Sequence, residues 1–207
     1  MLKPILAIAA ATTALVLAAA IYLLMLGPSA PVSAPSGARL DIGGADIGGP
    51  FELTSETGAR VSSASLIDRP ALIYFGYTFC PDVCPLDTQV LADATRILAA
   101  DGIEVLPVFV TLDPARDNAE ILKQFTDALH PQMVGLTGSE AEIRAVADAY
   151  KVYFEKVDMP DSAMGYLINH TAFTYLAGPS GLQAMFRNGY PAEVIAEEVA
   201  AVLATAD

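Results

Sequence analysis

Ala71-Leu72-Ile73-Tyr74-Phe75-Gly76-Tyr77-Thr78-Phe79-Cys80-Pro81-Asp82-Val83-Cys84-Pro85 runs from an unbroken apolar stretch into the only two cysteines of a 207-residue chain. Five consecutive apolar residues read as a strand buried on both faces. The cysteines follow where the carboxyl end of that strand opens into a helix, which is where α/β folds place their chemistry. They lie four positions apart, with three residues between them. The pair therefore forms a structural disulfide, a redox couple or a metal clamp.

Downstream, the pattern alternates. Leu86, Val90, Leu91, Ala94, Ile97 and Leu98 recur at helical spacing and predict one apolar helix face, ended by Gly102. Val105 through Leu112 reads as a second buried strand. Asp113-Pro114-Ala115-Arg116-Asp117 is a turn and helix start, with Asp113 and Asp117 in capping positions. Ile121, Leu122, Phe125 and Leu129 continue that helix up to Pro131, and Met133 to Leu136 is a short strand. Ser139 to Glu142 has the capping-box pattern before Ile143, Val146 and Tyr150.

Residues 151–169 then interrupt the alternation. They form an insertion too long for an ordinary connection, and such insertions are often functional. Thr171 to Leu176 and Leu182 to Arg187 read as a terminal hairpin around Gly178-Pro179-Ser180-Gly181, and Pro191 opens a last helix. Upstream, Phe51 to Thr54 and Val61-Ser62 flank Glu56-Thr57-Gly58 as another hairpin. The order is β, β, α, β, α, β, α, an insertion, then β, β, α. It predicts an α/β, thioredoxin-like fold with a loop or hairpin insertion ahead of the second hairpin.

The N-terminal segment reads separately. Ile5 through Leu26 are 22 consecutive residues without a charge, enough for a helix that spans a bilayer of about 30 Å. Lys3 precedes them, so residues 1–4 read as a cytoplasmic tail and 5–26 as a transmembrane anchor. A cleaved signal peptide has a shorter apolar core, and the small-x-small site ending at Ala34 is followed by Pro35. Residues 27–46 are rich in Gly, Pro and Ser and read as a flexible linker, leaving 47–207 as the exported domain. With Lys3 set aside, ten basic residues face 24 acidic ones, a net charge of −14. Such a surface speaks against a nucleic-acid partner. The whole reads as a single-pass protein of a bacterial inner membrane with its domain in the periplasm, a compartment where cysteines can oxidise.

Redox motifs of the thioredoxin type place two residues between their cysteines, and here there are three. Residues four apart on a helix bring their Cβ atoms to about 5–6 Å, which suits two thiolates on one soft metal ion. Asp82 lies between the cysteines and Asp87 follows them. Carboxylates disfavour a free thiolate and favour a bound cation. Two thiolates leave a metal site incomplete. Only His130, at a helix end, and His170, at the end of the insertion, are available to add imidazole. Sulfur and imidazole together suit Cu(I), or Cu(II) with a further ligand. His130 reads as a surface residue. Met159 and Met164 in the insertion read as packing, with a thioether ligand role as the alternative. The tyrosines, Tyr74 and Tyr77 among them, read as core and loop packing.

Three runs carry a resemblance: Gly76 to Pro85, Thr111-Leu112-Asp113-Pro114-Ala115-Arg116-Asp117, and Asn169-His170-Thr171-Ala172-Phe173-Thr174-Tyr175-Leu176. With these the chain resembles the Sco/SenC/PrrC family of membrane-anchored, copper-binding proteins that assist cytochrome c oxidase assembly. The resemblance spans about residues 47–204. It implies copper, as Cu(I) or Cu(II), held by Cys80, Cys84 and His170. The client it implies is the copper site of oxidase subunit II, with an upstream periplasmic copper donor as a further partner. Asn169 departs from the Asp that the family commonly has before the ligand His. Two other readings stand beside the chaperone. A thiol–disulfide reductase would use only Cys80 and Cys84, and a copper or redox sensor would signal to a membrane partner.

Overall fold

The structure, a computed structural model, describes residues 37–40 and 42–205. The tail and anchor expected over residues 1–26 lie outside the described residues, as does most of the linker. Among the described residues no helix is long and apolar enough to cross a membrane.

Among the described residues, ten strands and five helices follow one another. They are β1 (Arg39–Leu40), β2 (Glu52–Ser55), β3 (Arg60–Ser62), α1 (Ser63–Leu66), β4 (Ala71–Gly76), α2 (Val83–Ala100), β5 (Leu106–Thr111), α3 (Ala119–Leu129), β6 (Val134–Thr137), α4 (Glu140–Ala149), β7 (Phe154–Met159), β8 (Gly165–His170), β9 (Phe173–Gly178), β10 (Gly181–Arg187) and α5 (Ala192–Ala204). Eight strands form one sheet in the order β1-β10-β9-β4-β5-β6-β2-β3. β4, β5 and β6 run parallel, while β9 lies antiparallel against β4. This is the expected thioredoxin-like alternation of crossover helices followed by a terminal hairpin and helix.

All six residues of β4 and all six of β5 are buried, as their unbroken apolar runs require. Aromatic side chains fill the core: Phe75 of β4 and Tyr175 of β9 meet near-perpendicularly at 5.6 Å, and Tyr150, just after α4, meets Tyr175 edge-on at 90°. The Ser139–Glu142 capping box starts α4 as expected: Ser139 Oγ accepts from Glu142 N–H, and the Glu142 carboxylate accepts from Ser139 N–H.

Several expectations change. β1 falls inside the predicted linker, and its residues pair with Phe186 and Met185 of β10. The insertion, expected as a loop or hairpin, is a regular hairpin, β7–β8, in register from Phe154↔His170 to Met159↔Gly165. It forms a two-stranded sheet of its own. In α2 the helix begins at Val83, which turns Cys84, Thr88, Leu91, Thr95 and Leu98 inward. Leu86, predicted on the apolar face, is 67% exposed. Two residues beyond Cys84 it is rotated by about 200° around the helix. The cap of α3 is Asn118, whose side chain accepts from Ile121 N–H, so neither Asp113 nor Asp117 serves there.

Candidate metal centre

The cysteines lie at a junction braced from below. β4 ends at Gly76, a loop carries Tyr77 to Asp82, and α2 follows. That loop is fixed by Asp117, which is fully buried. Its carboxylate accepts from Thr78 N–H at 2.9 Å, Thr78 Oγ1–H at 2.5 Å and Thr111 Oγ1–H at 2.6 Å. Burial pushes the Asp117 carboxyl up, and these donors pull it back down. No spacing in the sequence marks Asp117 as a loop anchor, because its partners lie six and 39 residues away.

Cys84 is the second residue of α2 and wholly buried, and Cys80 sits half-buried in the loop before it. Both are free thiols. Burial drives the Cys84 thiol far above the ordinary value, with Cys80 adding to the shift. Gly76 makes room for this sulfur: a Cβ there would stand 3.3 Å from Cys84 Sγ and 2.7 Å from Tyr74 Cε1.

His170, the last residue of β8, comes to the same place. Its Nε2 lies 3.3 Å from Cys84 Sγ. Its Nδ1 lies 3.1 Å from the carbonyl oxygen of Thr171, an acceptor, so the ring proton belongs on Nδ1. That leaves the Nε2 lone pair facing the sulfur. Burial lowers the His170 pKa, which keeps the imidazole neutral and able to ligate. Tyr74 and Tyr77 stand near-perpendicular to the ring, with centroids 6.3 and 6.1 Å away. The Tyr74 hydroxyl donates to Asp87 Oδ2 at 3.1 Å, and Asn188 Nδ2 donates to the same oxygen at 2.8 Å. The Asp87 charge in turn acts on His170.

The predicted site residues thus fall together unevenly. Cys84 and His170 touch, and Cys80 lies beside them. Among the described residues no three His, Cys, Asp or Glu side chains are drawn in tightly enough to hold an ion. The donor chemistry of two thiols and a neutral imidazole nevertheless fits a soft ion such as Cu(I). His130, expected on the surface, is only 7% exposed. Its Nδ1 accepts from Gln132 N–H at the end of α3. Met159 and Met164 flank the far end of the hairpin. Gly165, between Met164 and the strand that carries His170, is about 17 Å from the histidine at strand rise. Met159 is also 38% exposed, more open than a packing side chain would be. Asn169 is exposed and, by strand alternation, turns away from the face that His170 presents.

Tyr74, Tyr77, Gly76 and Asn188 shape the site without having been singled out for it. Asp87 had been noted only for its charge. The signal for Tyr74 was its alternation with Gly76 on one strand. Asn188 carried none.

The SCO1/SenC family model matches residues 41–204. The chain belongs to the SCO1/SenC family. It is similar to Protein SenC of Rhodobacter capsulatus, with 42% identity over 160 residues, covering 77% of this chain and 72% of that protein. Among solved structures it resembles Arabidopsis thaliana ScoI with copper bound. The TM-score is 0.73 at 35% identity, covering 77% of this chain and 99% of that one. It also resembles BsSco, described by a disulfide switch and as a member of the Sco family of cytochrome c oxidase assembly proteins. There the TM-score is 0.56 at 26% identity, covering 84% of this chain and 98% of that one. These likenesses extend over the described domain and show its thioredoxin-like fold.

Proposed function

We propose that this SCO1/SenC-family protein binds copper through Cys80, Cys84 and His170 and supplies it to the copper site of cytochrome c oxidase subunit II. The contact of Cys84 Sγ with His170 Nε2 at 3.3 Å carries the reading. It joins a buried thiol on helix α2 to a correctly protonated imidazole on the β7–β8 hairpin, and the apolar core alone does not require that pairing. Cys80, more accessible and just outside, completes the donor set by a movement of its loop. Copper is cargo here: it displaces the two thiol protons on arrival and is passed on by ligand exchange. Exposed Phe79, Val83 and Leu86 surround the cysteines with apolar surface for a client to cover. Copper bound to Arabidopsis ScoI supports the choice of metal. The anchor over residues 5–26 would hold the domain on the periplasmic side of the inner membrane. That placement raises its concentration around a membrane-bound client and an upstream copper donor.

The full-length chain in detergent, reduced and titrated with Cu(I), is expected to take up about one copper per chain. Cys80→Ala, Cys84→Ala and His170→Ala should each weaken binding. Undiminished affinity in all three variants would end the ligand assignment. Challenge of the loaded protein with the apo copper-site fragment of the oxidase then reads transfer directly.

A second reading rests on the unequal burial of the thiols. Cys80, the accessible one, attacks a client disulfide and forms a mixed disulfide, releasing one client thiol. Cys84 then displaces the second client thiol, so the client gains two electrons and the protein becomes a Cys80–Cys84 disulfide. His170→Ala separates the two activities, since it impairs copper binding and spares client reduction.

A further inference from the structure

We infer that Arg116 is a positioning residue that clamps the β7–β8 hairpin to the cysteine loop and so holds His170 against Cys84. The hairpin is hydrogen-bonded into no other strand, because β7 and β8 form a sheet by themselves. Something outside the strand ladders has to fix its register against the domain. Arg116 stands at the meeting point of three segments. It belongs to the turn after β5, where Arg116 N–H and Asp117 N–H both donate to Asp113 O. From there its guanidinium reaches the hairpin: Nη1 donates to the carbonyls of Met164 and Tyr166 at 3.3 Å each. Its plane covers the Tyr166 ring at 3.7 Å. On the side of the cysteine loop it lies 5.1 Å from the ring centroid of Phe79 and 5.8 Å from that of Tyr77.

The clamp is itself secured. Arg116 Nε pairs with Asp113, whose side chain is only 4% exposed. The Tyr166 hydroxyl donates to the other oxygen of the same carboxylate at 2.8 Å. Asp113, Arg116 and Tyr166 therefore form a closed triangle of ion pair, ring stack and hydrogen bond. The burial has a cost, since Arg116 Nη2 is enclosed without a partner. Planarity, delocalised charge and several donors are all used at once, a combination that lysine lacks. Arg144 also lies over Phe154 of β7 at 3.6 Å, and the Ile168 backbone hydrogen-bonds to Tyr77 of the cysteine loop, so Arg116 shares the hold on the hairpin and is the part that grips it at Met164 and Tyr166. The consequence for His170 is direct. Tyr166 is four residues before it on β8, so the strand transmits the position that Arg116 sets.

The role in copper binding rests on the ligand reading proposed above, so the test has one arm without metal and one with it. Arg116→Lys keeps a charge for Asp113 but loses the fork and the stack. Tyr166→Leu removes the stack and leaves the ion pair, in case the first variant folds poorly. In the full-length apo protein, hydrogen exchange of hairpin amides 154–170 should speed up by about tenfold or more in each variant, with the β4 and β5 amides unchanged. In protein loaded with Cu(I), release to a chelator should also speed up. Adding Arg116→Lys to His170→Ala should then bring no further change, because the clamp acts through that imidazole. Wild-type hairpin exchange in both variants overturns the inference, and so does an effect on release that adds in full to that of His170→Ala. If wild type and His170→Ala release copper at the same rate, the ligand reading fails instead, and the metal-free exchange still decides the clamp.

Discussion

Gly76→Ala tests whether the sulfur of Cys84 is packed as tightly as the structure has it. The added Cβ would lie 2.7 Å from Tyr74 Cε1, 3.3 Å from Cys84 Sγ and 3.3 Å from Phe109 Cε2. Carbon atoms rest about 3.5–4.0 Å apart, so the first contact is roughly 1 Å too close. Tyr74 has no room to retreat: its ring is fully buried, and its hydroxyl is tied to Asp87 at 3.1 Å. Gly76 is not among the residues of positive φ, so alanine incurs no backbone strain there. Overpacking of this size costs about 1–3 kcal/mol. Restricting the unfolded chain returns about 0.4–1 kcal/mol. The expected net loss is about 1–2 kcal/mol, or a drop of about 2–8 °C in Tm for a domain of this size. The assay is a thermal melt of the reduced, metal-free protein, followed by a Cu(I) titration. The titration should weaken, because Cys84 Sγ is one of the atoms the methyl displaces. A Tm within about 1 °C of wild type together with an unchanged titration would refute the packing argument.

Asp117→Ala leaves Thr78 N–H and the hydroxyls of Thr78 and Thr111 without their acceptor. A stability loss of about 3 kcal/mol in urea is expected, and a loss below about 1 kcal/mol would show that the loop does not depend on it. Copper affinity should rise with pH. The Cys84 pKa is raised by burial, so its thiol holds a proton at neutral pH that the metal must displace. Each such proton makes the apparent affinity climb about tenfold per pH unit, and Cys84 extends the climb past the ordinary thiol value; competition titrations showing no pH dependence would contradict this. Asp87→Asn should push the midpoint of His170 further down in an NMR titration. The Asp87 carboxylate raises that pKa against the dominant effect of burial, and an unmoved midpoint would mean the two groups do not interact.

The strands and helices were readable because each is locally consistent. β4 and β5 are unbroken apolar runs, and Ser139 and Glu142 announce α4 three residues apart. Of the candidate site, the meeting of Cys84 with His170 was readable from residue type, since two cysteines and two histidines leave few combinations. What spacing could not show is whatever depends on residues far apart in the chain. Asp117 looks like a cap because turns favour Asp, yet two of its three donors come from Thr78 in another loop. His130 looks like an exposed helix end, but it folds inward onto Gln132 N–H. The aromatic shell of His170 draws on Tyr74 and Tyr77, nearly a hundred positions before it. Leu86 was misplaced by a simpler cause: Cys84 and Thr88 hold the buried stripe in the first turns of α2 and Leu86 lies about 200° round from Cys84, while Leu91, Ala94 and Leu98 are buried as expected.

The two-residue strand β1 has a consequence for how the domain must be cut. β10 is the outermost long strand on its side of the sheet, and β1 covers its carboxyl end at Met185 and Phe186. Ala38, wholly buried, continues the cover by accepting from Arg187 N–H at 2.8 Å. A soluble fragment begun at residue 47, where composition alone ends the linker, would strip that cover away. It would expose a row of unpaired amides beside apolar side chains, a template for joining another copy edge to edge. A fragment begun at residue 37 keeps it. Light scattering should find the longer fragment monomeric and the shorter one self-associating, so a segment that reads as mere spacer also protects the domain from its own copies.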